Sequence, residues 1–164
     1  MKRRRRSGRH AVSPKPKTIS IILVALQLGL MIAVLYFPGR REGGLHILFA
    51  NLMRLGGVYI AARALWQLRK YSLSIFAEPV KNAQLTTSGL YKRVRHPVYS
   101  GIILWALGTL LIRVSIARAL IFASLVVVLW IKSQREEAML EALFGSRYTR
   151  YKLNTPRFIP RRRA

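Results

Sequence analysis

Leu90-Tyr91-Lys92-Arg93-Val94-Arg95-His96-Pro97-Val98-Tyr99-Ser100-Gly101 is where this chain changes character. Residues 67–97 form a polar connection with six Lys or Arg. Beyond it lie two apolar runs, Val98 to Ile112 and Ile116 to Ile131, joined only by Arg113-Val114-Ser115. Pro97 suits the first turn of a helix, where its missing N–H costs nothing. His96 therefore falls at or beside a helix N-cap, where free N–H groups and the positive end of the dipole make an anion site. Tyr99 falls on the first turn, and Gly101 permits close approach of another helix or a ligand. The two runs read as a hairpin of antiparallel helices with both far ends on one side. At 1.5 Å per residue each reaches about 22 to 24 Å, short of a ~30 Å bilayer core. Snorkelling by Arg113 and Arg118, or local thinning, would cover the difference, and a re-entrant hairpin is the competing reading.

From Ile116 to Phe144 there is no Gly or Pro. The fourth helix is therefore expected to leave the membrane and stop at Gly145 as a C-cap. Glu136 then sits about 7.5 Å past Ile131 along the axis. That brings His96, Tyr99 and Glu136 to a similar depth, a helix start facing carboxylates across a narrow gap. Such a site suits a zwitterionic ligand. Singly, each residue has a plainer reading: His96 as a cap, Tyr91 and Tyr99 as interfacial aromatics, Glu137 and Glu141 as an i, i+4 pair meeting nearby Arg on a solvated face. Together on one surface they point to an enzyme site.

Working outward, Thr18 to Phe37 is a first span and Leu45 to Trp66 a second. The second carries Asn51, Arg54 and Arg63. Arg63 lies near the end and can snorkel. Arg54 lies near mid-span and is expected to face protein or water, either bonding carbonyls or contacting an anionic substrate group. Residues 1–17 are a basic tail with Pro14 and Pro16. The run Lys2 to Arg6 reads as a topology signal drawn to anionic lipid, because an apolar segment follows at once; nucleic-acid binding ranks last. Thr18 to Phe37 is longer than a signal-peptide core, and Tyr36-Phe37-Pro38-Gly39 does not resemble a cleavage site.

The composition agrees. Of 164 residues 52% are hydrophobic, yet the net charge is +24. Alternating apolar and basic blocks reconcile the two. There is no Cys, which excludes disulfides and thiolate chemistry, and no Asp. Three of the five Glu are 136, 137 and 141. His10, His46 and His96 form no ligand set, so no metal is implied. Lys and Arg number eight in the tail, six in 67–97 and nine in 132–164, against two each in 38–43 and 113–118. The positive-inside rule then puts both termini in the cytoplasm. The expectation is an all-α integral membrane protein. Four transmembrane helices, about 18–37, 45–66, 98–112 and 116–131, carry a cytoplasmic helical extension and tail, 132–164, that forms the site. Residues 18–164 form one membrane domain behind the 1–17 tail.

Gly89-Leu90-Tyr91, Arg95-His96-Pro97-Val98-Tyr99-Ser100-Gly101 and Glu136-Glu137 resemble the signature of the membrane-embedded isoprenylcysteine carboxyl methyltransferases, much of it shared with phospholipid N-methyltransferases. Phe144-Gly145-Ser146-Arg147-Tyr148-Thr149-Arg150-Tyr151, followed by Thr155-Pro156-Arg157-Phe158-Ile159-Pro160, resembles that family's C-terminal end. The resemblance covers residues 83 to 160, about half the chain. It implies S-adenosylmethionine as methyl donor, held by Ala83, Gln84, Leu85 and Thr86, by Tyr91, by the block Arg95, His96, Pro97, Val98 and Tyr99, and by Glu136. The acceptor would be a lipid or a prenylated small molecule or peptide arriving laterally through the bilayer. The family's substrate-contacting Arg, four residues before the cofactor Glu, aligns with Lys132, which keeps the charge but loses the fork; Arg54 is a second candidate for that contact. A carboxylate acceptor needs no base, whereas an amine or phenol would need Glu136 or Glu137. The small size and absence of extra N-terminal helices are expected of a prokaryotic inner-membrane protein. The competing readings are a phospholipid N-methyltransferase, a membrane reductase using a nicotinamide cofactor, and a non-enzymatic basic membrane protein.

Overall fold

A computed structural model describes residues 18–41, 43–69 and 84–161. Among these residues the fold is five helices and one two-stranded ladder: α1 (Thr18–Tyr36), β1 (Arg40–Arg41), α2 (Leu45–Arg69), α3 (Pro97–Ile112), β2 (Arg113–Val114), α4 (Ile116–Phe144) and α5 (Ser146–Asn154). A single 3-10 turn, Gly89–Lys92, precedes α3. Three helices, α1, α2 and α4, are long and apolar enough to cross a bilayer, and α3 is a shorter apolar helix. Their outward faces carry exposed Ile, Leu, Val and aromatic side chains, as lipid-facing surfaces do.

The packing is pairwise. α2 lies against α3 along small residues: a Cβ on Gly57 would meet the Gly101 carbonyl at 2.5 Å, and one on Gly108 would meet the Ala50 carbonyl at 2.5 Å. In lipid, where burying apolar surface gives no driving force between helices, such backbone contact supplies the attraction. α1 packs on α4, and Val34, Tyr99, Ala106, Leu125 and Leu129 form the buried centre between α1, α3 and α4.

The turns at one end are tied together. Arg40 pairs with Val114 and Arg41 with Arg113 in an antiparallel ladder. Ser115 caps α4 by accepting from the Arg118 amide at 3.2 Å. Arg118 departs from expectation. It does not snorkel: it is buried, donating to the Phe37 carbonyl and, at 2.7 Å, to the Thr109 carbonyl. Helix-end carbonyls lack intrahelical donors, and a buried guanidinium supplies several.

α4 runs to Phe144 and stops at Gly145 as expected, a residue whose φ of 54° suits glycine. α5 then packs against α4. Arg54 contacts Gly108, eleven residues along α3 from Pro97, and donates to Asn51 Oδ1 at 3.3 Å.

Candidate active site

The polar end of the bundle is built on His96. It is the N-cap of α3, with Pro97 at the first helical position, as the sequence implies. Its side chain makes no capping bond. The ring instead points into α4, where its Nδ1 lies 3.3 Å from Glu136 Oε2 and its Nε2 lies 3.1 Å from Glu137 Oε1. One imidazole thus spans two consecutive carboxylates. Burial by itself pushes the His96 pKa down; hydrogen bonds and charge from Glu136 and Glu137 outweigh this and hold it above the ordinary histidine value. Tyr99, one turn into α3, stacks on the His96 ring at 5.4 Å and donates to Glu136.

The two amides that precede α3 are taken up by the C-terminal segment. The His96 amide donates to the Arg157 carbonyl at 3.0 Å, and the Arg95 amide to the Pro156 carbonyl at 2.8 Å. The C-terminal segment Thr155–Phe158 thereby straps the start of α3. Ser100 Oγ adds a bond to the Phe158 carbonyl at 2.7 Å.

Glu137 is buried beneath the strap. Arg95 Nε reaches its Oε1 at 3.1 Å, and Arg157 binds both oxygens at 2.9 and 2.8 Å. Lys152 approaches Oε2 at 3.7 Å and bonds Glu141 at 2.9 Å. The expected i, i+4 pair of Glu137 and Glu141 does share a cation. Its first member nevertheless lies in the interior, and the partners come from the tail.

A cavity of about 300 Å³ opens beside this cluster. Glu136, Tyr91, Arg95, His96, Val98 and Tyr99 line it, joined by Gln84, Leu85 and Thr86 from the segment before the 3-10 turn. Among the sequence-derived candidates, Lys132 lines it too, whereas Pro97, Glu137 and Arg54 do not. Ala83 lies outside the described residues. Arg54 is held along α3 by Gly108, too far down the helix to reach the His96 cluster.

Other wall residues were not read from the sequence. Tyr148 and Tyr151 come from α5, Leu140 and Phe144 from α4, Leu65 and Leu68 from α2, and Gln27 from α1. Gln27 accepts from Lys132 Nζ at 3.0 Å, and that Nζ sits 5.2 Å from the Tyr99 ring. A lone amide in the otherwise apolar middle of α1 was the available signal for Gln27. Tyr148 and Tyr151 carried the i, i+3 spacing of one helix face.

Three buried hydroxyls in the cavity wall have no hydrogen-bond partner among the described residues: Thr86 Oγ1, Tyr91 Oη and Tyr148 Oη. Burial raises the pKa of Tyr91 and Tyr148 above the ordinary phenol range, so both keep their protons as donors. An unpaired buried hydroxyl costs stability unless a ligand completes it. The Tyr91 turn is itself held from α2. Gln67 Nε2 donates to the Ser88 carbonyl at 2.7 Å, and Gly89, at φ 57°, leaves room for that amide.

The sequence that builds this site has known relatives. Residues 45–147, well over half the chain, match the family model described as phospholipid methyltransferase. Protein-S-isoprenylcysteine O-methyltransferase of Schizosaccharomyces pombe is 37% identical over 109 residues, 63% of this chain and 45% of that protein. Protein-S-isoprenylcysteine O-methyltransferase B of Arabidopsis thaliana is 28% identical over 163 residues, 87% of this chain and 78% of that one. Methanethiol S-methyltransferase of Crocosphaera subtropica is 29% identical over 122 residues, 70% of this chain and 47% of that protein. The chain thus spans less than half the length of the yeast and cyanobacterial relatives and most of the plant one. The matched region contains the turn at Tyr91, the His96 block and Glu136-Glu137. The chain belongs to the phospholipid methyltransferase family, whose S-adenosylmethionine-dependent membrane methyltransferases include the isoprenylcysteine carboxyl methyltransferases that its motifs resemble.

Proposed function

We propose that this chain transfers a methyl group from S-adenosylmethionine to a lipophilic acceptor within the membrane. The observation that carries the reading is the cavity wall: three unpartnered buried hydroxyls and the Glu136 carboxylate face one mainly apolar space. That donor set fits a cationic ligand bearing hydroxyl, amine and carboxylate groups. Thr86, Tyr91 and Tyr148 would bind its polar atoms, and Glu136 would accept from its hydroxyls or ammonium. When bound, the cofactor supplies an electrophilic methyl group on sulfonium sulfur. Leu65, Leu68, Val98, Ile102, Leu140 and Phe144 exclude water from the cavity and offer an apolar surface to the acceptor. Lys132, braced by Gln27, would position the acceptor's polar head. His96 holds its proton and orients Glu136. If the acceptor is an amine or phenol, Glu136 is the carboxylate placed to take its proton, since Glu137 is enclosed by cations. A carboxylate or thiolate acceptor needs none.

In this reading α1 to α4 all span the bilayer, with both termini, the 67–97 connection and the cavity mouth on the cytoplasmic side. The charge asymmetry of the connections and the position of α5 support it. Because the chain has no Cys, single substitutions Lys92→Cys and Arg40→Cys can be labelled in sealed vesicles. Reagents that cannot cross the membrane should reach the first from the cytoplasmic face and the second from the other. Labelling of both from one face would overturn the topology.

The decisive experiment is calorimetric titration of the purified protein in nanodiscs with S-adenosylmethionine, and separately with NADPH. Saturable binding of the first alone supports the proposal. Binding of NADPH alone, or of neither by folded protein, overturns it.

A further inference from the structure

Glu137 has no surface on the cavity, yet the charges around the site converge on it. Arg95 comes from the loop before α3, His96 from the α3 N-cap, Lys152 from α5 and Arg157 from the strap. The strap is also tied by its carbonyls, which accept from the amides of Arg95 and His96, from Arg95 Nη1 at Thr155 and from Ser100 Oγ at Phe158; Arg95 Nη1 reaches the Lys152 carbonyl of α5 at 2.8 Å as well. Arg157 on Glu137 is its side-chain ion pair among the described residues. Arg157 also lies over the Trp130 ring at 4.3 Å.

His96 connects this hub to the cavity. Both ring nitrogens face carboxylate oxygens, and a neutral imidazole has only one N–H to offer. The other nitrogen would set a lone pair against a carboxylate. The placement favours an imidazolium, with one N–H facing each Glu. The groups facing the ring are Glu136 and Glu137 from α4, Tyr99 stacked from α3 and Phe158 edge-on from the strap. Arg95, Lys152 and Arg157 stand behind Glu137, and Lys132 lies by the Tyr99 ring.

We propose that Glu137 is a positioning residue: the carboxylate that docks the C-terminal strap also holds the His96 imidazolium, and His96 in turn fixes Glu136 toward the cavity. Strap docking and cofactor affinity are then one linked property. This rests on the cofactor reading above for its ligand, while the Glu137–His96–Glu136 link is independent of it.

The test uses full-length protein in nanodiscs labelled with 15N-histidine, the His96 signal being assigned by its loss in His96→Gln. Glu137→Gln removes a negative neighbour and should lower the His96 titration midpoint. Arg157→Gln leaves Glu137 less neutralised and should raise it. Each should weaken S-adenosylmethionine binding by about tenfold, the equivalent of one lost charge-assisted hydrogen bond, and Arg157→Lys should restore part of the affinity. A uniform loosening of the fold would not move the midpoint in opposite directions. An unchanged midpoint in both variants overturns the proposal, as does a shifted midpoint with wild-type affinity. If Glu137→Gln does not fold, the Arg157 pair decides alone. If wild type binds no S-adenosylmethionine, the functional reading fails, while the opposite midpoint shifts still support, and equal midpoints still overturn, the link itself.

Discussion

Arginine sits inside one end of the helical bundle and half-buried at the other, and the two ends use it differently. At the β1–β2 end Arg118 gives its two terminal nitrogens to backbone carbonyls of neighbouring turns, Phe37 and Thr109, and only its Nε is left without a partner among the described residues. At the α5 end Arg95 and Arg157 meet the Glu137 carboxylate, and hydroxyls beside them are left unpaired around a cavity. Both arrangements keep guanidinium groups out of lipid. The first closes turns whose carbonyls would otherwise face hydrocarbon. The second combines opposed charges with hydroxyls that face a cavity, where a ligand can complete them. Binding is thus expected to depend on one end and stability on both.

The largest separation should come from the cavity end. His96→Ala or Glu136→Ala should cut S-adenosylmethionine affinity at least ~100-fold, since the first removes the group that orients Glu136 and the second removes the carboxylate on the cavity wall. Membrane insertion and helix content by circular dichroism should be unchanged. Normal affinity in both variants would remove the site from this end of the molecule.

The mirror experiment is Arg118→Met. Loss of two donors to buried carbonyls should cost about 2–4 kcal/mol of stability, read from denaturant midpoints in mixed micelles. The affinity of the molecules that remain folded should stay within about threefold of wild type. A drop matching that of the His96 variant would mean that the two ends are not separable.

Smaller and more diagnostic are Tyr91→Phe and Tyr148→Phe. Removing an unpartnered buried hydroxyl should leave the ligand-free protein as stable or slightly more so. Cofactor affinity should nevertheless fall about fivefold to tenfold. Parallel thermal-shift and calorimetric titrations check the pair. Loss of stability in step with affinity would show that these hydroxyls serve the fold.

The mildest effect is on pH. The His96 pKa is raised in the folded state, so its contribution to stability is complete below the ordinary histidine pKa of about 6.5. It is lost as pH rises through the folded value. The melting temperature in nanodiscs should therefore decline above neutrality in the wild type, and the slope should flatten in His96→Gln. Equal slopes would deny that His96 is held as an imidazolium.

Much of this was legible in the chain. Pro97 fixed the start of α3, the uninterrupted run from Ile116 fixed the reach of α4, and Gly145 fixed its stop. With the start and the run known, helical rise alone set His96, Tyr99 and Glu136 at one depth, and the structure joins them. The long apolar helices α1, α2 and α4, and the shorter α3, followed from apolar length for the same reason: a bilayer imposes a scale that composition reveals.

Other assignments needed the tertiary structure, because they depend on contacts between segments far apart in sequence. Glu136 and Glu137 are neighbours in the chain, yet successive helical residues point about 100° apart. Only the packing of α3, α5 and the strap decides that the first lines the cavity and the second is enclosed by cations. Gln27 meets Lys132 across 105 positions. Arg54 and Arg118 looked alike as basic residues in or beside apolar helices. Which partners a buried guanidinium finds is set by the neighbouring helices, and these gave Arg118 the carbonyls of two turns and Arg54 an amide on its own helix. Periodicity and charge determined the elements, their lengths and the end at which chemistry gathers. The pairing of helices across lipid decided which polar group faces the cavity, since a polar group there must bond whatever the packing brings within reach.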